Sequence, residues 1–341
     1  MQVRLFIFFL LLGASVVVLA QSDRSDKTAV TFEELFDEPY AVNKLFIGFQ
    51  PLYGEVFATN VNAGFGLDAT YYYRDKAHFR AHLRKSYSSK FFDFTREVAL
   101  RNSDVDNTPE VFNYFEVGGT YHIKDFESSS KTKMVLYKKS YHGNKWASRV
   151  PLRADVPCKV RTVYGARLNA ISWNSTTDIN RALAAQELVL DDLITENGQG
   201  LQTFSGTTGP LEVFSNVNAV AVALGGSYSW IRNVAVSFDK FEEGVDDGLL
   251  TFYFDVLYSP LLQIDNVVYQ GTTFSTDAIK TSRLGFRLGI DGKFNRTLSW
   301  AYGGEFGYRP SITGRTFFAM FKISFPMYST NLDYKVESFG K

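Results

Sequence analysis

The stretch from Lys280 to Tyr308 constrains this 341-residue chain most tightly, because it can satisfy its own pattern in one way only. Arg283, Gly285, Arg287, Gly289 and Asp291 interleave with Leu284, Phe286, Leu288 and Ile290, so an extended backbone puts apolar groups on one face and charged or minimal ones on the other. A turn at Gly292 to Asn295 follows. Ser299, Ala301, Gly303, Glu305 and Gly307 then alternate with Leu298, Trp300, Tyr302, Phe306 and Tyr308, so a second strand repeats the rule. The face built from glycines and opposed charges suits a confined interior. The apolar face ends in Trp and Tyr, as a surface does where hydrocarbon meets headgroups.

These two faces predict an all-β fold, a single transmembrane antiparallel β-barrel. Further dyad segments support it. Val61 to Tyr73 and Ala77 to Tyr87 alternate with Asp75-Lys76 as a tight turn between them. Phe115 to Lys124 and Val160 to Ala170 follow, with Ser128-Ser129-Ser130 read as a connection and Lys131 to Tyr141 as a returning strand. Ala219 to Trp230, Val234 to Phe238, Phe252 to Tyr258, Leu262 to Gln270 and Phe317 to Phe325 supply the rest. Short turns are then expected after Arg74, Phe126, Trp230, Ser259 and Asp291. A strand at Gly200 to Ser205 brings the total to about 14, with 12 as the alternative and an even number required.

The ends of the chain read differently. Arg4, the apolar run Leu5 to Leu12, and the small residues Val18 and Ala20 predict a signal peptide over 1–20, cleaved before Gln21. No later segment reaches ~18 apolar residues, so any membrane crossing must use strands. Residues 21–42 are polar and acidic, and Thr31 with Glu34 predicts a capped amphipathic helix serving as a periplasmic or plug segment. The barrel spans 43–326, interrupted by a helical insertion near 178–194 around Ile179, Leu183, Leu188, Leu190 and Leu193, and 327–341 is a polar tail.

Composition narrows the function. Lys plus Arg and Asp plus Glu are both 36, which gives no electrostatic case for nucleic acid. The 31 Phe and 19 Tyr are what an outer wall and two aromatic girdles consume. Cys158 is alone, so no intrachain disulfide forms.

The predicted lumen face gathers His78, Arg80, His82, Arg84, Lys159, Arg161, Arg167, Arg283 and Arg287 against Asp68, Glu116, Asp239, Asp291 and Glu305. Basic groups left unpaired in water favour anionic solutes; basic groups paired across a narrow lumen plug it instead. His78 and His82 stand about 13 Å apart on a strand, too far to share a metal ion, so no metal or other cofactor is expected. None of His78, His82, His122 and His142 has a serine two positions on, so the local pair of a barrel lipid hydrolase is missing and no enzyme is expected.

With the leader, the dyad strands, the Gly-rich inner faces and the aromatic strand Phe317 to Phe325, the chain resembles the bacterial outer-membrane β-barrel class, with a tail past the last Phe similar to Bacteroidota barrels. The long-chain fatty-acid transporters and the shuttle barrels of the type IX secretion system have about 14 strands, but the Asn-Pro-Ala start of the former is missing after Gln21. The resemblance implies a place in the outer membrane, with its lipid and the barrel-assembly machinery as partners. Passive transport of small solutes, anions favoured, is the first expected function. A non-conducting scaffold or subunit of an envelope or secretion complex, docking through 178–194 or the tail, is the second, and an outer-leaflet lipid-modifying enzyme the third.

Overall fold

The computed structural model describes residues 30–57, 60–87, 104–137, 139, 152–296 and 299–329. The expected leader, His142 and the tail beyond Ser329 lie outside them. Met1–Thr31 is a separate unit, and everything below belongs to Phe32–Lys341.

In chain order the strands are β1 (Phe32–Asp37), β2 (Leu45–Phe57), β3 (Asn60–Tyr73), β4 (Ala77–Ser86), β5 (Asn113–Leu136), β6 (Leu152–Asp178) and β7 (Phe214–Ile231). There follow β8 (Val234–Phe238), β9 (Gly244–Asp246), β10 (Gly248–Ile264), β11 (Val267–Tyr269), β12 (Thr272–Phe274) and β13 (Thr281–Ser282). The last are β14 (Leu284–Phe294), β15 (Ala301–Tyr308), β16 (Ser311–Ile312) and β17 (Phe317–Ser329). Two short helices, α1 (Ile179–Ala185) and α2 (Leu201–Ser205), lie between β6 and β7.

The fold is all-β, and its centre is a closed barrel in the order β2-β3-β4-β5-β6-β7-β10-β14-β15-β17, which returns to β2. It has ten strands, not the 14 or 12 expected. Three of the expected strands are not separate barrel staves. Ser128, Ser129 and Ser130 make no turn but pair with Val160, Lys159 and Cys158 inside one continuous β5–β6 ladder, so Lys131 onward prolongs β5. Ser259-Pro260 is no turn either: the register shifts between Tyr258 and Leu261, a bulge that excuses the missing proline N–H, and Leu262 to Ile264 prolongs β10. Val234 to Phe238 forms β8, which pairs with β1 and β9 outside the barrel. The strand expected at Gly200 to Ser205 is helix α2, ended by Gly206 at φ 63°.

With an even number of staves, β2 enters and β17 leaves at the same rim, here the terminal rim. The opposite loop rim carries the long β4–β5, β6–β7 and β10–β14 connections. Helix α1 starts because Asp178 accepts a 3.1 Å bond from the Arg181 N–H, and its apolar residues Ile179, Ala182 and Leu183 turn inward. They join Leu193, Leu201, Phe274, Ile312, Phe318 and Trp173 in one buried cluster that fills the barrel at the loop rim. The insertion is therefore a lid, with one short helix and a second turn of helix rather than one helical segment over 178–194.

At the terminal rim, β6 loses its neighbour β7 at Arg161, opposite Ile231, and runs on toward Leu152 paired with β5 alone. This overhang buries Met134, Leu136, Val156, Cys158 and Val160, and the β1-β8-β9 sheet buries Phe36, Val234, Ala235, Val236 and Phe238. The two faces meet: a side chain at Gly244 would strike both Met134 Sδ and the Phe238 ring. The helix expected near Thr31 is strand β1. Pairing with Val234 to Phe238, with a bulge between Glu34 and Phe36, overrides a weak helical pattern.

Asp37 at the end of β1 accepts the Lys159 N–H at 2.8 Å, yet burial raises its carboxyl above the usual carboxylate range against that bond. A raised folded-state pKa means stability present at low pH and lost as pH rises through that ionisation. Asp37→Asn keeps the acceptor and removes the charge. Its overhang should therefore resist limited proteolysis better than wild type at pH 7 and equally at pH 3.

Candidate functional site: the filled lumen

Inward side chains follow from strand parity, and the barrel is narrow enough for opposite walls to touch. The inner glycines make room for this. A Cβ at Gly289 would meet the Tyr253 ring, and one at Gly225 would meet Asp255 Oδ1 and the Phe254 carbonyl. The largest inward groups thus lie over the smallest.

Below the apolar lid, Arg309 forks onto Glu55, with Nη1 to Oε1 at 3.1 Å and Nη2 to Oε2 at 2.9 Å. Its guanidinium sits 4.4 Å from the Phe318 ring centre and 4.8 Å from that of Phe57. Arg84 donates to the same Glu55 at 3.1 Å and lies 3.9 Å over the Tyr114 ring. The side chains of Arg84 and Glu55 are both fully buried.

Arg287 holds the next layer together. Its Nη2 donates to Glu116 Oε1 at 2.5 Å, its Nη1 to Glu116 Oε2 at 3.0 Å and its Nε to Asp255 Oδ2 at 2.8 Å. Tyr114 donates its hydroxyl to Glu116 at 2.8 Å. Arg167 takes the other side of Asp255 at 2.9 and 3.3 Å and stacks 4.0 Å over Tyr253, whose hydroxyl donates to Glu305 at 2.8 Å. Charges buried this deeply are tolerable only when paired and hydrogen-bonded.

Toward the terminal rim, Arg80 and Lys322 share Asp291 at 2.7 and 2.9 Å. Asp68 accepts from Gln50 at 3.1 Å and from Ser324 at 2.7 Å. His82 meets Gln50 at 3.1 Å, His78 meets His122 at 3.0 Å, and His122 meets the Asp75 carbonyl at 2.7 Å. At the rim Arg161 is clamped by Asp125 and Asp75.

His78, Arg80, His82, Arg84, Arg167, Arg287, Asp68, Glu116, Asp291 and Glu305 face inward, with Arg161 at the rim. Three residues expected there do not. Lys159 is on the overhang with its side chain 52% exposed, paired to Glu127, because β6 there has run past its last β7 partner, Ile231 opposite Arg161, and no longer lines the lumen. Arg283 precedes β14 and is exposed at the loop rim, and Asp239 is exposed after β8.

Glu55, Asp255, Arg309 and Lys322 are essential members that the sequence reading omitted. Asp255 and Lys322 were readable by parity, since Phe254 and Val256, and Phe321 and Ile323, face outward. Glu55 was hidden by the register shift between Gln50 and Tyr53 at Pro51. Arg309 had no signal, because it follows the end of β15.

His82, Glu116 and Glu305 bring ligand atoms within 4.8 Å of one another. This donor set does not suit a metal ion. Glu116 and Glu305 already face Arg287, and Arg84 closes the side, so a dication would meet guanidiniums as near neighbours.

No known protein-family model matches the chain, and no curated protein matches it. The functional reading therefore rests on geometry.

Arg287→Met keeps length and removes the charge that Glu116, Asp255 and Glu305 face. It should cost about 3–5 kcal/mol of folding stability, as expected when a buried carboxylate loses its partner, read as a lowered denaturant midpoint of the folded barrel.

Proposed function

We propose that this protein is an outer-membrane β-barrel with a permanently filled lumen, a non-conducting membrane anchor that carries a folded β-sandwich at its terminal rim for an envelope complex. Its wall supports the membrane part. Phe79, Leu83, Phe115, Val117, Leu168, Leu224, Phe254, Val256, Leu284, Phe306 and Phe321 are all exposed on the outer face. Exposed Tyr71, Tyr73, Tyr121, Tyr164, Tyr228, Trp300, Tyr302 and Tyr328 stand toward the terminal rim, with Tyr87, Tyr258 and Tyr308 toward the loop rim. An apolar band between two aromatic girdles is what a bilayer selects and what water penalises.

The observation that carries the non-conducting part is the pairing of Arg84, Arg167, Arg287 and Arg309 with Glu55, Glu116, Asp255 and Glu305 inside the barrel, where Arg287 on β14 crosses to Glu116 on β5 and the pairs of Arg84, Arg167 and Arg309 join staves two apart. A channel for anions, the first expectation from the basic residues, needs such groups facing water. Here they face carboxylates, beneath an apolar lid. The overhang and the β1-β8-β9 sheet are the surface left for a partner, since the apolar side of the 178–194 insertion is spent on the lid. For the enzyme reading, the histidine hydrogen bonds among the described residues are to His, Gln and a backbone carbonyl, and the ring neighbours are Tyr72 and Tyr114, with no serine nucleophile.

Leu288 lies between Phe254 and Phe306 on the outer wall. Leu288→Arg should cost about 2–4 kcal/mol of stability in vesicles if that wall faces hydrocarbon; a neutral effect would refute the membrane placement. Folded protein added to planar bilayers should give no current steps. Reproducible ion steps from protein with native strand content would remove the filled-lumen reading and restore the channel.

A further inference from the structure

The lumen charges divide into two groups with different balance. Nearer the loop rim, the guanidiniums of Arg84, Arg167, Arg287 and Arg309 face the carboxylates of Glu55, Glu116, Asp255 and Glu305, four against four. That group is neutral. Nearer the terminal rim, inside the cluster in which Asp125 and Asp75 hold Arg161, the cavity-lining Arg80, Lys293 and Lys322 face Asp68 and Asp291, three cations against two carboxylates around the cavity.

The odd charge has a location. Arg80 and Lys322 both reach Asp291, while Asp68 is occupied by Gln50 and Ser324. Lys293 has no carboxylate within ion-pair distance among the described residues. Its ammonium lies 4.2 Å from the Phe46 ring centre and 5.1 Å from that of Tyr72. Rings attract a cation but accept no strong hydrogen bond, so its donors remain to be used. A cavity of about 60 Å³ opens among these residues, lined by Arg80, Lys293 and Lys322 and by the carboxylates of Asp68 and Asp291 that Arg80, Lys322, Gln50 and Ser324 already occupy.

An uncompensated charge inside an apolar wall is costly, and the cheapest remedy is a counter-ion of the same magnitude. The excess is one unit and the space is a few water volumes. We infer that this vestibule is a binding site for one small monovalent anion of the chloride or nitrate class, held by Lys293 with Arg80 and Lys322. Divalent oxyanions over-neutralise the site, and organic acids the size of gluconate do not fit. The inference does not rest on the lumen being closed to ions or on the membrane placement, so conductance and its own test fail independently.

The test uses the full chain folded in detergent, with thermal unfolding followed while sodium gluconate is replaced by sodium chloride at constant ionic strength. The wild-type midpoint should rise and saturate with chloride. Lys293→Met removes the unbalanced cation without taking a partner from any carboxylate, so it should fold with the same strand content and bind chloride about tenfold more weakly or not at all. Asp68→Asn raises the excess and should shift the chloride response to about tenfold lower concentration. No chloride effect in the wild type, or the same response in Lys293→Met, would overturn the site. Should Lys293→Met fail to fold, an unchanged chloride affinity in Asp68→Asn would overturn it alone.

Discussion

Everything inside this barrel is governed by the cost of burying charge. Ten strands make a lumen that side chains can bridge, so a guanidinium on one wall reaches a carboxylate on the opposite one instead of water. Arg287 on β14 reaches Glu116 on β5, and Arg309 beyond β15 reaches Glu55 on β2. Such contacts tie together strands that share no hydrogen-bonded edge. Isolated buried pairs often contribute little net stability compared with apolar replacements, but breaking one leaves a stranded charge. The network thus fixes the diameter and the register of the barrel more than it deepens the fold's free-energy well.

The glycine-rich inner face follows from the same constraint. A tyrosine or a carboxylate can bridge a narrow lumen only where the wall opposite or beside it is empty, as at Gly289 under Tyr253 and Gly225 beside Asp255. The glycines weaken strands that a two-sided barrel would otherwise make strong. Bulges at Pro51, Ile123 and Pro260 then let individual staves change which parity faces inward, so the apolar outer face stays continuous while the inner layer turns from charged to apolar at the lid.

That arrangement explains which parts were legible in the sequence. The alternation of Leu284 to Asp291 with its neighbours was sufficient for strands, a closed barrel and an outer apolar face, because each depends on a period of two within one segment. It was also enough to put Arg80, Arg84, Arg167, Arg287, Glu116 and Glu305 on the inner side. Strand number was not legible. Ser128 to Ser130 and Ser259-Pro260 carry the composition of turns, yet the ladder with β6 runs through the first and the ladder with β7 resumes beyond the second, and only the three-dimensional pairing supplies those partners. Ion-pair identities were equally hidden, since Glu55 and Arg309 are 254 positions apart.

The difference between the two lumen layers bears on what the barrel is for. A channel conserves function by keeping charges available to solute, whereas here the layers nearest the loop rim cancel to neutrality and are sealed under Leu183, Leu201 and Phe274. Among the described lumen residues it is Lys293, toward the terminal rim, that lacks an ion-pair partner, and there the overhang and its covering sheet add folded mass as the lid does at the loop rim. The proposed anion site and the proposed partner surface therefore fall at one rim of the barrel. A membrane anchor that presents its working parts to a single compartment needs that asymmetry, and a conduit between two compartments does not.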